Sequence, residues 1–300
     1  MITVVGEALL DLVAGGDTTR FDARPGGSPA NVAVGLARLG TPVALATRLA
    51  DDLPGRIIAG HLEANGVRVE RLPGDTDRTS LALAAIGADG GADYSFHLSW
   101  DPTAMPDLPK DCACLHTGSL ATALEPGASA VEALLDRARQ TGVPISYDPN
   151  VRPMLLGDRK TERERVERHV AGADVVKVSE EDLAWLYPGE TPQGIARKWA
   201  TSGPSLVVLT RGARGATGFN TATEVEVKAP KVTVKDTVGA GDAFTAALLD
   251  SLTRTDLLRP GLTDLDPESL TPHLTFAAKV AAITCERTGA EPPTRAELLD

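Results

Sequence analysis

The sequence predicts an α/β fold: a mostly parallel central sheet covered by helices on both faces, with a small β-lid beside it. Three observations carry this expectation. Short apolar runs rich in β-branched residues alternate with longer amphipathic ones, the pattern of strands buried on both faces and the helices that cover them. The alternation breaks at two stretches that read as hairpin strands instead. No repeat, low-complexity segment or Pro/Gly linker divides the 300 residues, so a single domain over 1–300 is expected, with its lid formed by about 11–24 and 78–100.

Taken in order, Ile-Thr-Val-Val at 2–5 is the first buried strand, and 11–24 is the first hairpin stretch. Helical patterns over 28–39 and 54–65 flank a strand at 43–47. Residues 79–88 and 92–98, around the turn Asp89-Gly90-Gly91, form the second hairpin. Strands then fall at 112–116, 144–147, 174–178 and 206–209, with helices at 127–140, 161–171 and 191–201 between them. A small-residue helix at 245–252 and another from 276 to 285 follow.

Composition narrows the function. A chain of this length buries roughly three quarters of the surface its unfolded form exposes. No run of about 18 apolar residues is present, so no membrane-spanning helix is expected. The opening Ile2-Thr3-Val4-Val5-Gly6 lacks the basic and apolar regions of a signal peptide, so none is expected, and three cysteines with no disulfide framework suit the cytoplasm. Thirty basic against 41 acidic residues give a net charge of −11, which disfavours nucleic acid as a partner. Cys112 and Cys114 form C-x-C, neither a redox nor a usual zinc spacing, and suit small buried side chains on a strand leading to His116. No H-E-x-x-H is present.

In an open parallel sheet, ligands bind beyond the carboxyl ends of the strands, so the loops there hold the chemistry. Asp236-Thr237-Val238-Gly239-Ala240-Gly241-Asp242 leads into a helix. Gly239, Ala240 and Gly241 let backbone N–H groups converge at a helix N-terminus, an anion hole suited to a transferring phosphoryl group. Asp242 would be repelled by bound phosphate unless it acts as a base that takes the proton of an incoming hydroxyl. Taken alone, the same residues also suit an ordinary helix N-cap after a tight turn. A second cluster, Arg24-Pro25-Gly26-Gly27-Ser28-Pro29-Ala30-Asn31, permits close backbone approach at Gly26 and Gly27. There Asn31 offers both a donor and an acceptor for a polyhydroxylated ligand.

These two clusters resemble the N- and C-terminal signatures of the ribokinase-like (PfkB) carbohydrate kinases, and most of all their fructokinase branch. Gly6-Glu7-Ala8-Leu9-Leu10-Asp11, Tyr147-Asp148-Pro149-Asn150-Val151-Arg152, Lys177-Val178-Ser179-Glu180-Glu181 and Thr210-Arg211-Gly212 match in the family's order, from residue 6 to Gly289-Ala290. The resemblance implies a ribokinase-like three-layer sandwich and ATP-dependent phosphorylation of a free sugar, with D-fructose to fructose 6-phosphate as the first expectation. 2-Keto-3-deoxygluconate and ribose are alternatives, and a catalytically silent sugar sensor is the reading from another class.

The resemblance also assigns roles. Asp242 would be the base, with the amides of Gly239, Ala240, Gly241 and Asp242 on the phosphoryl group. Asp11, Gly26, Gly27 and Asn31 would hold sugar hydroxyls, Phe96 would wall the sugar from the lid, and Asn150 and Arg152 would approach sugar and phosphates. Lys177, Thr210, Gly212 and Gly215 would lie along the nucleotide, with Ala278 and Ala282 flanking adenine. Mg²⁺ would accompany ATP, with Glu180 ordering its water in place of an N-x-x-E motif that reads Ser179-Glu180-Glu181-Asp182 here. A helix N-cap with an acidic first turn explains Ser179 and its neighbours equally well. Asp236 and Val238 resemble positions of a monovalent-cation site, so K⁺ is a second cation to consider. A substrate already phosphorylated would need a lid cation, for which Arg20, Arg24 and Arg78 are available. An apolar lid face with Leu81, Leu83 and Ala85 suits pairing into a homodimer.

Other designs lack their marks. There is no Gly-Lys dipeptide and hence no Walker A loop, and no H-R-D or D-F-G of protein kinases. After Val5 the chain reads Gly6-Glu7-Ala8-Leu9, which does not fit the G-x-G-x-x-G of a dinucleotide-binding oxidoreductase.

Overall fold

A computed structural model describes residues 1–15, 20–86, 92–259, 261–262 and 265–299. The chain opens with β1 (Ile2–Val5), β2 (Leu9–Gly15) and β3 (Asp22–Gly26), then α1 (Ser28–Arg38), β4 (Val43–Thr47), α2 (Leu53–Ala64) and β5 (Arg68–Arg71). The lid strands β6 (Leu81–Ile86) and β7 (Ala92–His97) come next, before β8 (Cys114–Gly118), α3 (Gly127–Thr141) and β9 (Ile145–Asp148). After α4 (Arg159–Ala171) and β10 (Val175–Ser179) come α5 (Glu180–Leu186), α6 (Pro192–Trp199), β11 (Leu206–Thr210), β12 (Ala216–Phe219) and β13 (Glu224–Val227). The helices α7 (Ala240–Arg254) and α8 (Pro267–Cys285) complete the core.

Among the described residues the main sheet has nine strands in the order β13-β12-β11-β10-β9-β8-β1-β4-β5, parallel except for the antiparallel pairs at β12 and β13. Its strands are apolar on both faces. Leu206 and Val208 of β11 pack with α1, α2, α7 and α8, while Val207 and Leu209 pack with α3 to α6, which makes the three layers. All four are fully buried, and such side chains contribute roughly 1.5–3 kcal/mol each. From β1 the sheet grows toward β4 in one direction and, after the lid, toward β8, β9, β10 and β11 in the other. The crevice at that change of direction opens at the carboxyl ends of β1 and β8.

The lid is a separate four-stranded sheet in the order β3-β2-β6-β7. Its strands begin earlier and end later than the sequence suggests at 11–24, because β2 starts at Leu9 and β3 reaches Gly26. The turn Asp89-Gly90-Gly91 and the tip between β2 and β3 lie outside the described residues. Two clasps root the lid. Asp52 caps α2 at Gly55 N (2.8 Å) and also accepts from Thr79 N (2.9 Å) and Oγ1 (2.7 Å). Arg48, after β4, meets Asp101, after β7, at 3.3 Å with both side chains largely buried.

The edge strand β5, the β12–β13 hairpin and the early start of α8 go beyond the sequence expectation, while the helix N-cap at Ser179 is one of its two readings. β5 is a short edge strand, and β12–β13 is a hairpin of two four-residue strands. Helix α5 starts where Ser179 accepts from Asp182 N and the Asp182 carboxylate accepts from Ser179 N, a capping box. Helix α8 begins nine residues before 276, at Pro267, and contains Pro272. No helix of the described residues is long and apolar enough to cross a membrane.

Candidate active site

Asp242 lies in the first turn of α7 and is buried. Its two carboxylate oxygens are held from the first turn of α1: Ser28 Oγ donates to Oδ1 at 2.6 Å and Asn31 Nδ2 to Oδ2 at 2.8 Å. Burial pushes the Asp242 carboxyl above its ordinary range, against the pull of those two hydrogen bonds and of the Lys177 ammonium. The two glycine-rich signatures therefore meet at one carboxylate.

The backbone around it needs glycine. Gly239, which precedes α7, sits at φ 75°, and a methyl group on it would lie 2.4 Å from Ala290 Cβ. No side chain caps α7; Ala240 N donates to the Thr237 carbonyl at 3.2 Å, and the amides of Gly241 and Asp242 stand at the positive end of the helix dipole. Gly27, at φ 101° before α1, lies where a methyl would come within 2.6 Å of the Glu7 carbonyl oxygen. That contact ties the start of α1 to the end of β1. At Gly26 the missing side chain leaves room for Asp11, since a methyl would sit 2.2 Å from Asp11 Oδ2.

Asp11 and Phe96 share one face of the lid. Asp11 is in register with Arg24 on β3 and Ala82 on β6, and Ala82 is in register with Phe96 on β7. Laterally paired residues point to the same side of a sheet, so Arg24, Asp11, Ala82 and Phe96 form one row across all four strands. Burial raises the Asp11 carboxyl to about 6, with Arg152 and Arg24 opposing the shift. The Arg24 guanidinium also reaches the loop at Gly289, 3.5 Å from where a methyl on that glycine would stand.

Asn150 and Arg152 follow β9 as expected and bond to each other, Arg152 Nη1 donating to Asn150 Oδ1 at 2.6 Å. Asn150 takes a left-handed φ of 40°. Thr210 closes β11, and Gly212 and Gly215 bracket the short turn that follows it. Ala278 and Ala282 are buried on α8, which packs against α7, β12 and β13. Glu180 begins α5 and is ion-paired with Arg214 of the β11–β12 turn. Asp236 accepts from Val238 N at 3.0 Å and from Gly289 N at 2.8 Å, which joins the loop before α7 to the one after α8; Val238 itself is exposed. Lys177 is buried, with Nζ 2.6 Å from Asp148 Oδ2.

Four buried groups at the crevice carry no assigned role from the sequence, although each lies inside a matched motif. Ser28 holds Asp242. Glu7 accepts from Ala121 N at 3.0 Å, and burial raises it to about 7. Asp182 accepts from Val151 N at 2.9 Å, and burial and the nearby Asp148 raise its carboxyl. Asp148 ends β9. Glu7 and Asp148 stand at the carboxyl ends of strands, the signal that marks them, whereas Ser28 and Asp182 lie in the first turns of α1 and α5.

The sequence pattern of the pfkB family carbohydrate kinases matches residues 1–297. A fructokinase from Rhizobium leguminosarum bv. trifolii is 37% identical, covering 90% of this chain and 85% of that one. The crystal structure of a fructokinase with bound ATP from Xylella fastidiosa superposes with a TM-score of 0.86 at 28% identity, covering 99% of this chain and 96% of that one. A fructokinase double mutant from Vibrio cholerae O395, bound to fructose, ADP and a potassium ion, gives a TM-score of 0.83 at 28% identity over 100% and 97% of the two chains.

Proposed function

The chain belongs to the pfkB family of carbohydrate kinases, and from that premise we propose that it transfers the γ-phosphoryl group of ATP to the primary hydroxyl of D-fructose, releasing fructose 6-phosphate and ADP. The observation that carries this reading is the Asp242 carboxylate, buried at the uncapped N-terminus of α7 and aimed by Ser28 and Asn31. A pure sugar-binding protein has no use for such a base.

In the proposed reaction Asp242 accepts the proton of the fructose hydroxyl as its oxygen forms a bond to the γ-phosphorus. The bond from that phosphorus to the β,γ-bridging oxygen breaks, its electrons leave with ADP, and Asp242 later returns the proton to solvent. The amides of Gly239, Gly241 and Asp242 receive the charge that spreads over the transferring oxygens, beside Ala240 N, which is bonded to the Thr237 carbonyl. Asp11, Gly26, Gly27, Asn31, Asn150 and Arg152 line the approach of the sugar, with Phe96 in the lid row above it. Thr210, Gly212, Gly215, Ala278 and Ala282 border the nucleotide side.

Mg²⁺ is the divalent ion proposed for the nucleotide. Such an ion takes few carboxylates beside phosphate oxygens and water, and Glu180 at the start of α5 is the carboxylate proposed for it. Glu180 would order that water, and the ion would neutralise the β- and γ-phosphates. A monovalent cation such as K⁺ would rest on the backbone carbonyls of the Asp236–Val238 loop, since the Asp236 carboxylate is engaged by two amides. Leu81 and Leu83 of the lid are half-buried in the single chain, and pairing with a second copy would cover them. The Ala85 side chain lies outside the described residues. We place the protein in the cytoplasm.

A sugar acid is the second reading, because Arg24 and Arg152 both bear on Asp11 and would receive a carboxylate. ADP release with Mg-ATP across free sugars, keto-acid sugars and nucleosides, with Asp242→Asn alongside, tests both. Turnover on fructose that the variant loses by several decades is expected. Turnover confined to a keto-acid sugar would replace fructose, and near-normal turnover by Asp242→Asn would remove the base.

A further inference from the structure

Lys177 stands at the middle of β10, beside Asp148 at the end of β9, and their side chains are 6% and 1% exposed at a separation of 2.6 Å. The same ammonium presses on the first turn of α7: a methyl on Gly241 would lie 3.0 Å from Lys177 Nζ. The groups that face it come from four elements, Asp148 of β9, Asp242 of α7, Asp182 of α5 and His116 of β8. Burial holds His116 neutral by lowering it to about 4. Lys177 itself is pulled down by burial, but Asp148, Asp242 and Asp182 together raise it, so it is charged.

Fold stability does not account for this placement. A cation against a helix N-terminus is opposed by the helix dipole. A buried ion pair gains little over a packed apolar pair unless its hydrogen bonds are complete. Here they are incomplete, since Asp148 Oδ1 is buried with no hydrogen-bond partner. What the ammonium does accomplish is to bring a positive charge to a cluster that would otherwise hold three buried carboxylates.

We propose that Lys177 is a positioning residue that keeps Asp242 ionised and ready to take the sugar proton, with Asp148 fixing the ammonium against the first turn of α7. This rests on the reading of Asp242 as the base and adds what keeps that base unprotonated. Without Lys177, the repulsion between Asp242 and Asp148 and the burial of both favour a proton on Asp242.

The test is the pH dependence of kcat at saturating fructose and Mg-ATP, read at its acid limb, where a change in KM does not enter. Lys177→Met is expected to move that limb up by about one pH unit, and Lys177→Arg to leave it near the wild-type position. Asp148→Asn, which removes a repelling charge, is expected to move it down. Should Lys177→Met fail to fold with Asp148 unpaired, the Lys177→Met/Asp148→Asn double variant is compared with Asp148→Asn alone, and its limb is expected at higher pH. Coincident limbs in either comparison overturn the proposal. Asp242→Asn separates the two readings: near-normal turnover removes the base and this inference with it. An inactive Asp242→Asn beside unmoved limbs in the Lys177 variants removes this inference alone.

Discussion

Ser28 Oγ donates a 2.6 Å hydrogen bond to Asp242 Oδ1 across 214 positions of sequence. A hydrogen bond to a carboxylate favours its ionised form, so its loss raises the Asp242 carboxyl further. Ser28→Ala is expected to shift the acid limb of kcat at saturating sugar up by about one pH unit while the high-pH plateau stays near wild type. A uniform drop at every pH would mean that Ser28 aims the base without tuning it.

Asp11 supplies a second pH dependence, of the opposite kinetic type. Its carboxyl is raised to about 6, so it is ionised at neutral pH and protonated below that value. Protonation removes an acceptor for sugar hydroxyls. KM for the sugar is therefore expected to climb as pH falls through about 6, and Asp11→Asn to give a high KM that no longer varies with pH. A wild-type KM that is flat from acid to neutral pH would take Asp11 out of the sugar site.

Gly239→Ala tests the anion hole by geometry alone. The added methyl meets Ala290 and must adopt a left-handed φ of 75°. The first-turn amides then move off the phosphoryl position, and kcat is expected to fall about 100-fold with the circular dichroism unchanged. Unchanged turnover would mean that those amides do not hold the transferring group.

Asp250 offers a stability test away from the chemistry. It is fully buried and accepts from Thr41 Oγ1 at 2.6 Å, from Arg254 Nε at 2.9 Å and from Arg295, tying α7 to the turn after α1 and to the chain beyond α8. Both arginines are partly exposed, which limits the loss when the acid is removed. Asp250→Ala is expected to cost about 2 kcal/mol in denaturant unfolding, with kcat at 25 °C within a factor of about two. A larger loss of kcat than of stability would give Asp250 a catalytic connection.

The parallel sheet was legible because its strands are apolar on both faces, as in Leu206–Thr210, and the helices between them carry a one-sided apolar stripe. The segments that escape reading lack such a signature. Arg68–Arg71 is an edge strand of mostly charged residues, held by its pairing with β4. Pro272 reads as a break, yet sits inside α8, whose packing on α7 sustains it. At the site, the motifs located Asp242 and Asn31, but a hydrogen bond between residues 211 apart is a property of the fold. Lys177 and Asp148 likewise meet only because β9 and β10 are neighbours in register.

Lid strand β3 runs through Gly26 and Gly27 into α1 with no linker between them. Arg24, in the lid row, and Ser28, on the base, therefore belong to one taut length of chain. On the proposed function, a sugar held between Asp11 and Asp242 would bear on both ends of that length, whereas a water molecule would bear on one only.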